Sequence, residues 1–237
     1  MKKLLVLVLA ICLMIPVFST AEDAPAGDIP VEVTSDLTIL RQNVMVTESW
    51  LGKTVYLFGE VRNDGDKTVN LSYDGSNMVV LDADGSQIGE AGFFGPSTYP
   101  NVIGPGETAF LHISVSVDGE PASAVLTLAV SESWSNGPQR VDAAGEYFPP
   151  EGYSANGIIR VTVANTGDAA IVEPYAAAAL TDADGNIIGI GNTNVYNAEI
   201  PAGSSLVLKM SVDEAILAWW AAKGVEPAGV ETIVWVN

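Results

Sequence analysis

The sequence predicts an all-β chain of two tandem antiparallel β-sandwiches, with a short helix inserted near the end of the second. Three observations carry this prediction. First, the chain repeats itself. Val61-Arg62-Asn63-Asp64-Gly65-Asp66, then Leu81-Asp82-Ala83-Asp84-Gly85, then Ile103-Gly104-Pro105-Gly106-Glu107 are echoed in the same order by Val163-Ala164-Asn165-Thr166-Gly167-Asp168, Thr181-Asp182-Ala183-Asp184-Gly185 and Ile200-Pro201-Ala202-Gly203-Ser204. The offset, about a hundred residues, is that of a duplicated domain, since solenoid repeats run to about 20–50 residues. Second, short runs of β-branched and aromatic residues are broken by Gly, Asn, Asp and Pro every eight to twelve residues or so, the spacing of short strands. Third, within those runs apolar residues fall at every second position.

The chain opens with a targeting segment. Lys2 and Lys3 precede an apolar run over 4–18, and Ser19-Thr20-Ala21 places small residues where signal peptidase reads. Residues 1–21 are therefore expected to be a signal peptide cleaved after Ala21, leaving no membrane span, for which about 20 apolar residues are needed. Cys12, the only cysteine, lies in this run behind the bulky Ile11, so lipidation is not expected and the mature chain has no cysteine. Each module must then be held by its core alone, which about 100 residues can support. Residues 22–30, rich in Ala, Pro and acidic residues, read as a linker.

The first module is expected over 31–134. Thr54-Val55-Tyr56-Leu57-Phe58-Gly59-Glu60-Val61 alternates, with Val55, Leu57 and Val61 on one face. It ends in Asn63-x-Gly65-Asp66, where Asn and Gly tolerate the positive φ of a tight turn. Asp84-Gly85, between apolar runs, predicts a hairpin. Pro105-Gly106-Glu107 then turns the chain into a strand carrying Ala109, Leu111, Ile113 and Val115 inward, and a last strand is expected over 124–130.

Residues 135–156, polar and turn-rich with Pro149 and Pro150, read as the linker to a second module over 157–237. There Ile159, Val161 and Val163 alternate with Arg160 and Thr162, Asp184-Gly185 marks the hairpin, and Leu206, Leu208 and Met210 repeat the half-buried strand. Ser211-Val212-Asp213-Glu214 has the spacing of a capping box, so 215–223 should be helical and Gly224 should end the helix. A final strand is expected over 232–236.

On the Gly59-Glu60-Val61-x-Asn63 strand end, the Leu81–Gly85 hairpin and the Pro105-Gly106-Glu107 turn, both modules resemble the FxLYD family and its relatives, bacterial extracytoplasmic immunoglobulin-like domains. In the segment that names the family, Met78-Val79-Val80-Leu81-Asp82 and Ala178-Ala179-Leu180-Thr181-Asp182 keep the Asp, the second alone keeps the Leu, and neither has the Phe or Tyr. The resemblance implies two tandem immunoglobulin-like antiparallel β-sandwiches and implies no activity.

Composition restricts function. The formal charge of −19 falls to −21 when Lys2 and Lys3 leave with the signal. Such a surface repels nucleic acid and anionic membranes. The single histidine, His112, alternates away from Leu111 and Ile113 and is expected to be exposed on its strand, with no Gly-x-Ser-x-Gly elbow to pair with. Asp82, Asp84, Asp182 and Asp184 have the opening spacing of a calcium loop without its remainder, and hairpin turns account for them. Asn70-Leu71-Ser72, a formal glycosylation sequon, is read as chance. No catalytic, cofactor-binding or metal residue is assigned.

The expectation is a secreted or cell-envelope, non-catalytic binding or spacer protein. Its partner would be a protein or another cell-surface component. The alternative is a glycan held by exposed aromatics, for which Trp219 and Trp220 on the helix and the loop of Phe93, Phe94 and Tyr99 are the candidates, with Tyr147 and Tyr153 in the linker; for the tryptophan pair intramolecular packing is the favoured reading over recognition.

Overall fold

The computed structural model describes residues 28–49, 52–92, 95–135, 137–151 and 155–236. The expected signal segment with Cys12, and Phe93, Phe94 and Tyr153, lie outside the described residues. The fold is mostly β, with several small sheets and one short helix. The N-terminal half contains β1 (Val31–Ser35), β2 (Thr38–Ser49), β3 (Gly52–Arg62), β4 (Val69–Leu71), β5 (Asn77–Leu81), β6 (Gln87–Glu90), β7 (Ser97–Tyr99), β8 (Val102–Ile103), β9 (Thr108–Val117), β10 (Ser123–Leu128) and β11 (Val130–Glu132). The C-terminal half contains β12 (Gln139–Val141), β13 (Ala143–Phe148), β14 (Gly157–Ala164), β15 (Ile171–Val172), β16 (Tyr175–Thr181), β17 (Ile187–Asn194), β18 (Glu199–Ile200), β19 (Ser205–Val212), α1 (Glu214–Lys223) and β20 (Gly229–Val236).

Strand order repeats between the halves as the sequence does. Sheets β1-β10-β5-β6 and β2-β3-β9-β7 in the first half correspond to β12-β20-β16-β17 and β13-β14-β19 in the second. The copies differ at two edges: β1 runs parallel to β10 but β12 runs antiparallel to β20, and β7 has no counterpart beside β19. The predicted alternation is what builds each core. Val55, Leu57 and Val61 of β3 and Leu111, Ile113 and Val115 of β9 are buried against Met78, Val80 and Leu126 of the facing sheet. Ile159, Val161 and Val163 do the same in the second half, while Arg160 and Thr162 face water. Full burial of each such side chain contributes about 1.5–3 kcal/mol.

The repeated turn residues have identical roles in the two copies. Asn63 Nδ2 donates to the carbonyls of Lys67 (2.8 Å) and Ile103 (3.0 Å), and its Oδ1 accepts from the Gly65 amide. Asn165 repeats this with Ala169, Ile200 and Gly167. A buried side chain with both donor protons and its acceptor engaged fixes the end of one strand to the loop beside the next.

The stretch expected to be a linker is a correction. Residues 139–148 form β12 and β13, which pair with β20 and β14. Turn-forming composition hid two strands, β13, which pairs with the next strand in the chain, and β12, whose partner β20 lies about a hundred residues on. The helix start is also corrected. Ser211 and Val212 remain in β19, paired with Ile158 and Gly157. Asp213 is therefore the N-cap, its Oδ1 accepting from the Ala215 amide at 2.8 Å. Gly224, at φ 66°, ends the helix as expected.

The outer face of sheet β2-β3-β9-β7 bears Met45, Tyr56, Phe58 and Phe110, and these join the apolar cluster of the C-terminal half. Polar crossings reinforce the junction. Arg41 donates from Nη1 to Gly185 O (2.9 Å), is held bidentately by Glu231 and also pairs with Glu60 (3.0 Å). Asn43 Nδ2 donates to Ile187 O (3.0 Å). Asp28 accepts from the Val46 amide (2.8 Å), the Trp219 indole N–H (2.6 Å) and the Lys223 ammonium. So Asp28, together with the buried Ile29, belongs to the packed structure, although both fall in the stretch expected to be the N-terminal linker.

Candidate functional site: a cleft between the halves

Where the two halves meet beyond this apolar contact, a cleft of about 670 Å³ remains open, within the range of about 300–1,000 Å³ typical of ligand sites. One wall comes from the end of β4 and the turn after it, with Asn70, Tyr73 and Asp74, and from β7 with Ser97, Thr98 and Tyr99. The other comes from the start of β16, the end of β17 and the loop after it, with Tyr175, Asn192, Asn194 and Tyr196, and from Trp235 of β20. Both β7 and β17 are edge strands, so the cleft lies where two sheets end.

Its chemistry is aromatic and amide. Tyr73 and Tyr196, one from each half, are each 69% exposed. Tyr175 and Trp235, paired across β16 and β20, stack with centroids 5.6 Å apart and planes 16° from parallel. Burial pushes the Tyr99 phenol above its ordinary value, outweighing the hydrogen bond with Ser97, so its O–H is retained as a donor. Four carboxamides, from Asn70, Asn101, Asn192 and Asn194, supply both donors and acceptors. Asp74 is the single Asp or Glu among the lining residues.

The residues singled out in the sequence are placed otherwise. Trp220 is buried, donates its indole N–H to Ile188 O at 2.9 Å and meets Tyr147 edge-on at 5.8 Å. Trp219 is half-buried against the N-terminal half through Asp28. Both therefore serve packing, and of the aromatics named beforehand that are among the described residues, Tyr99 lines the cleft while Trp219, Trp220 and Tyr147 do not.

His112 corrects the expectation of an exposed strand histidine. It does point away from Leu111 and Ile113, but the face it occupies is the one the C-terminal half covers. Its ring stacks on Phe58 (5.3 Å) and Tyr56 (6.3 Å), and desolvation lowers its pKa to about 4. It does not line the cleft.

Asp82 and Asp182 each turn Oδ1 onto backbone amides of their own hairpin, those of Asp84 and Ser86 (3.0 and 2.8 Å) and of Asp184 and Asn186 (both 2.9 Å). Gly85 and Gly185 take the positive φ, 78° and 84°, that these turns require. Among the described residues no group of three or more His, Cys, Asp or Glu is placed to hold a metal ion, and no described helix is long and apolar enough to cross a membrane.

Sequence reasoning missed Tyr73, Tyr175, Tyr196, Trp235 and the asparagines. The one available signal was that Tyr73 and Tyr196 each follow a strand in a polar loop.

No family model matches this chain, and no curated protein matches it. Among solved structures it is similar, over 85% of its length, to the crystal structure of red sea bream transglutaminase, at 9% identity and a TM-score of 0.20. It spans 29% of that chain. A likeness this loose says nothing about activity here.

Proposed function

We propose that this chain is a secreted or cell-envelope binding protein without catalytic activity, built as two tandem immunoglobulin-like sandwiches of the kind its FxLYD-like motifs resemble, with the cleft between them as its binding face. The observation that supports this reading best is that two well-exposed tyrosines, Tyr73 and Tyr196, one from each half, line one concave site. Exposed aromatics scattered singly are ordinary on a protein surface, whereas rings converging on a cleft mark recognition. The lining also favours binding over turnover. Two-carboxylate or acid–base chemistry needs a second ionisable partner beside Asp74, and the other ionisable lining groups are tyrosines. The joined halves hold the walls at a fixed separation, which suits a receptor for a surface component.

Labelled mature protein, residues 22–237, should bind intact cells or isolated envelopes of the source organism. The Tyr73→Ala/Tyr196→Ala double variant should lose most of that binding, while Trp134→Ala, at a fully exposed ring outside the cleft lining, should retain it. Equal binding by the double variant and the wild type would reject the cleft as the binding face.

A further inference from the structure

We infer that the cleft takes a neutral oligosaccharide, an inference that rests on the cleft being the binding face. A sugar ring offers an apolar face of C–H groups and a rim of hydroxyls, each hydroxyl being donor and acceptor at once. The cleft supplies the complement to both. Tyr73 and Tyr196 are flat and exposed, and one comes from each half, so a chain of sugars lying along the cleft has an aromatic surface to meet in either half. The carboxamides of Asn70, Asn101, Asn192 and Asn194 each combine a donor and an acceptor group, which matches hydroxyl pairs better than a charged group does.

A second observation is independent of the aromatics. Asn70 Oδ1 and Thr98 Oγ1 are buried without a hydrogen-bond partner, and both residues line the cleft. Thr98 as a whole is 3% exposed. A buried polar atom left unpaired costs about 1–3 kcal/mol, and because both atoms are closed to water, a ligand hydroxyl relieves that cost only where the Asn70 and Thr98 side chains turn towards the cleft. Gln42 Oε1 is the other such atom among the described residues, so two of the three belong to this site.

Charge argues against ionic occupants, and the N-terminal wall offers little backbone for an added peptide strand. A formal charge of −19 repels anionic ligands, and a divalent cation, which takes six or more oxygen ligands with several carboxylates among them, finds one carboxylate, Asp74. A peptide added as a strand would need a run of free backbone groups along an edge. On the N-terminal wall β7 spans Ser97–Tyr99 and is bracketed by Pro96 and Pro100, which have no N–H to donate.

Affinity electrophoresis tests this directly, with the mature chain run through gels containing starch, xylan, mannan or mixed-linkage β-glucan, and polygalacturonate as the anionic counterpart. At least one neutral polymer should retard the wild type. Tyr73→Ala and Tyr196→Ala should each weaken that retention about tenfold, equivalent to about 1.4 kcal/mol, and Trp134→Ala should leave it unchanged. Asn192→Asp, an exposed position where a charge disturbs the site without opening the core, should weaken it as well. Melting curves would establish that each variant is folded. No retention on any neutral polymer, retention on polygalacturonate alone, or retention indifferent to both tyrosines would overturn the inference. If neutral polymers fail while binding to cells still depends on Tyr73 and Tyr196, the cleft is the binding face and its ligand is a protein. If cell binding is also indifferent to them, the cleft reading falls with the inference.

Discussion

His112 shows how one residue registers the contact between the halves. Stacked on Phe58 and Tyr56 under the C-terminal half, it is held neutral by desolvation, with a pKa lowered to about 4 from 6.5. The unfolded chain binds this proton more readily than the folded one between those two values. Its contribution to stability is therefore complete above about pH 6.5 and is lost progressively as the pH falls towards 4, on the order of 3 kcal/mol in all. Asp28 acts in the same direction at lower pH. Burial raises its pKa, but the Lys223 ammonium, the Val46 amide and the Trp219 indole together bring it below 3.8, so the stability it provides above 3.8 fades as the pH falls through the lowered value. Urea midpoints measured at pH 7 and pH 4.5 should differ markedly for the wild type and much less for His112→Phe, which keeps a stacked ring and removes the proton. An unchanged pH dependence in that variant would place the titration elsewhere.

Among the elements, α1 sets the second half apart from the first. Its two adjacent tryptophans project about 100° apart, and each finds a different partner. Trp220 enters the C-terminal core, while Trp219 turns to Asp28 of the N-terminal half. Trp220→Ala should cost about 3–5 kcal/mol, the usual cost of emptying a buried aromatic site, and Trp219→Ala clearly less, since that ring is half-buried. Chemical denaturation of both variants checks the order, and neither should alter polysaccharide retention. Cost and retention reversed between the two rings would mean that the helix, and not the cleft, carries recognition. The hairpin turns were legible beforehand because Asp-Gly sets φ locally. The strands β12 and β13 were not, because their own residues resemble linker and only pairing with β20 and β14 makes them strands.

For the whole molecule, the decisive feature is that the halves share an apolar cluster and a set of polar crossings. Arg41 contributes most visibly, joining Glu60 of its own half to Glu231 and Gly185 of the other. Differential scanning calorimetry of the wild type should show one cooperative transition. Arg41→Glu, which sets three carboxylates together, should separate it into two or lower its midpoint by several degrees. Two independent transitions in the wild type would mean that the junction adds little to either half, and the cleft would then lose its fixed walls.

The duplication and the acidic balance could be read from the sequence by comparing and counting residues, and the inward faces of β3, β9, β14 and β19, the hairpins and the helix end at Gly224 because each depends on residues one to a few positions apart. Tertiary structure alone decided what covers the second face of the sheet carrying Tyr56, Phe58 and His112, and that Tyr73 and Tyr196 line one cleft. Alternation along a strand states which side is apolar towards its own core. It carries no information about what lies on the other side, since that is set by contacts between residues more than a hundred positions apart, as between Arg41 and Glu231, and these exist only once both halves have folded.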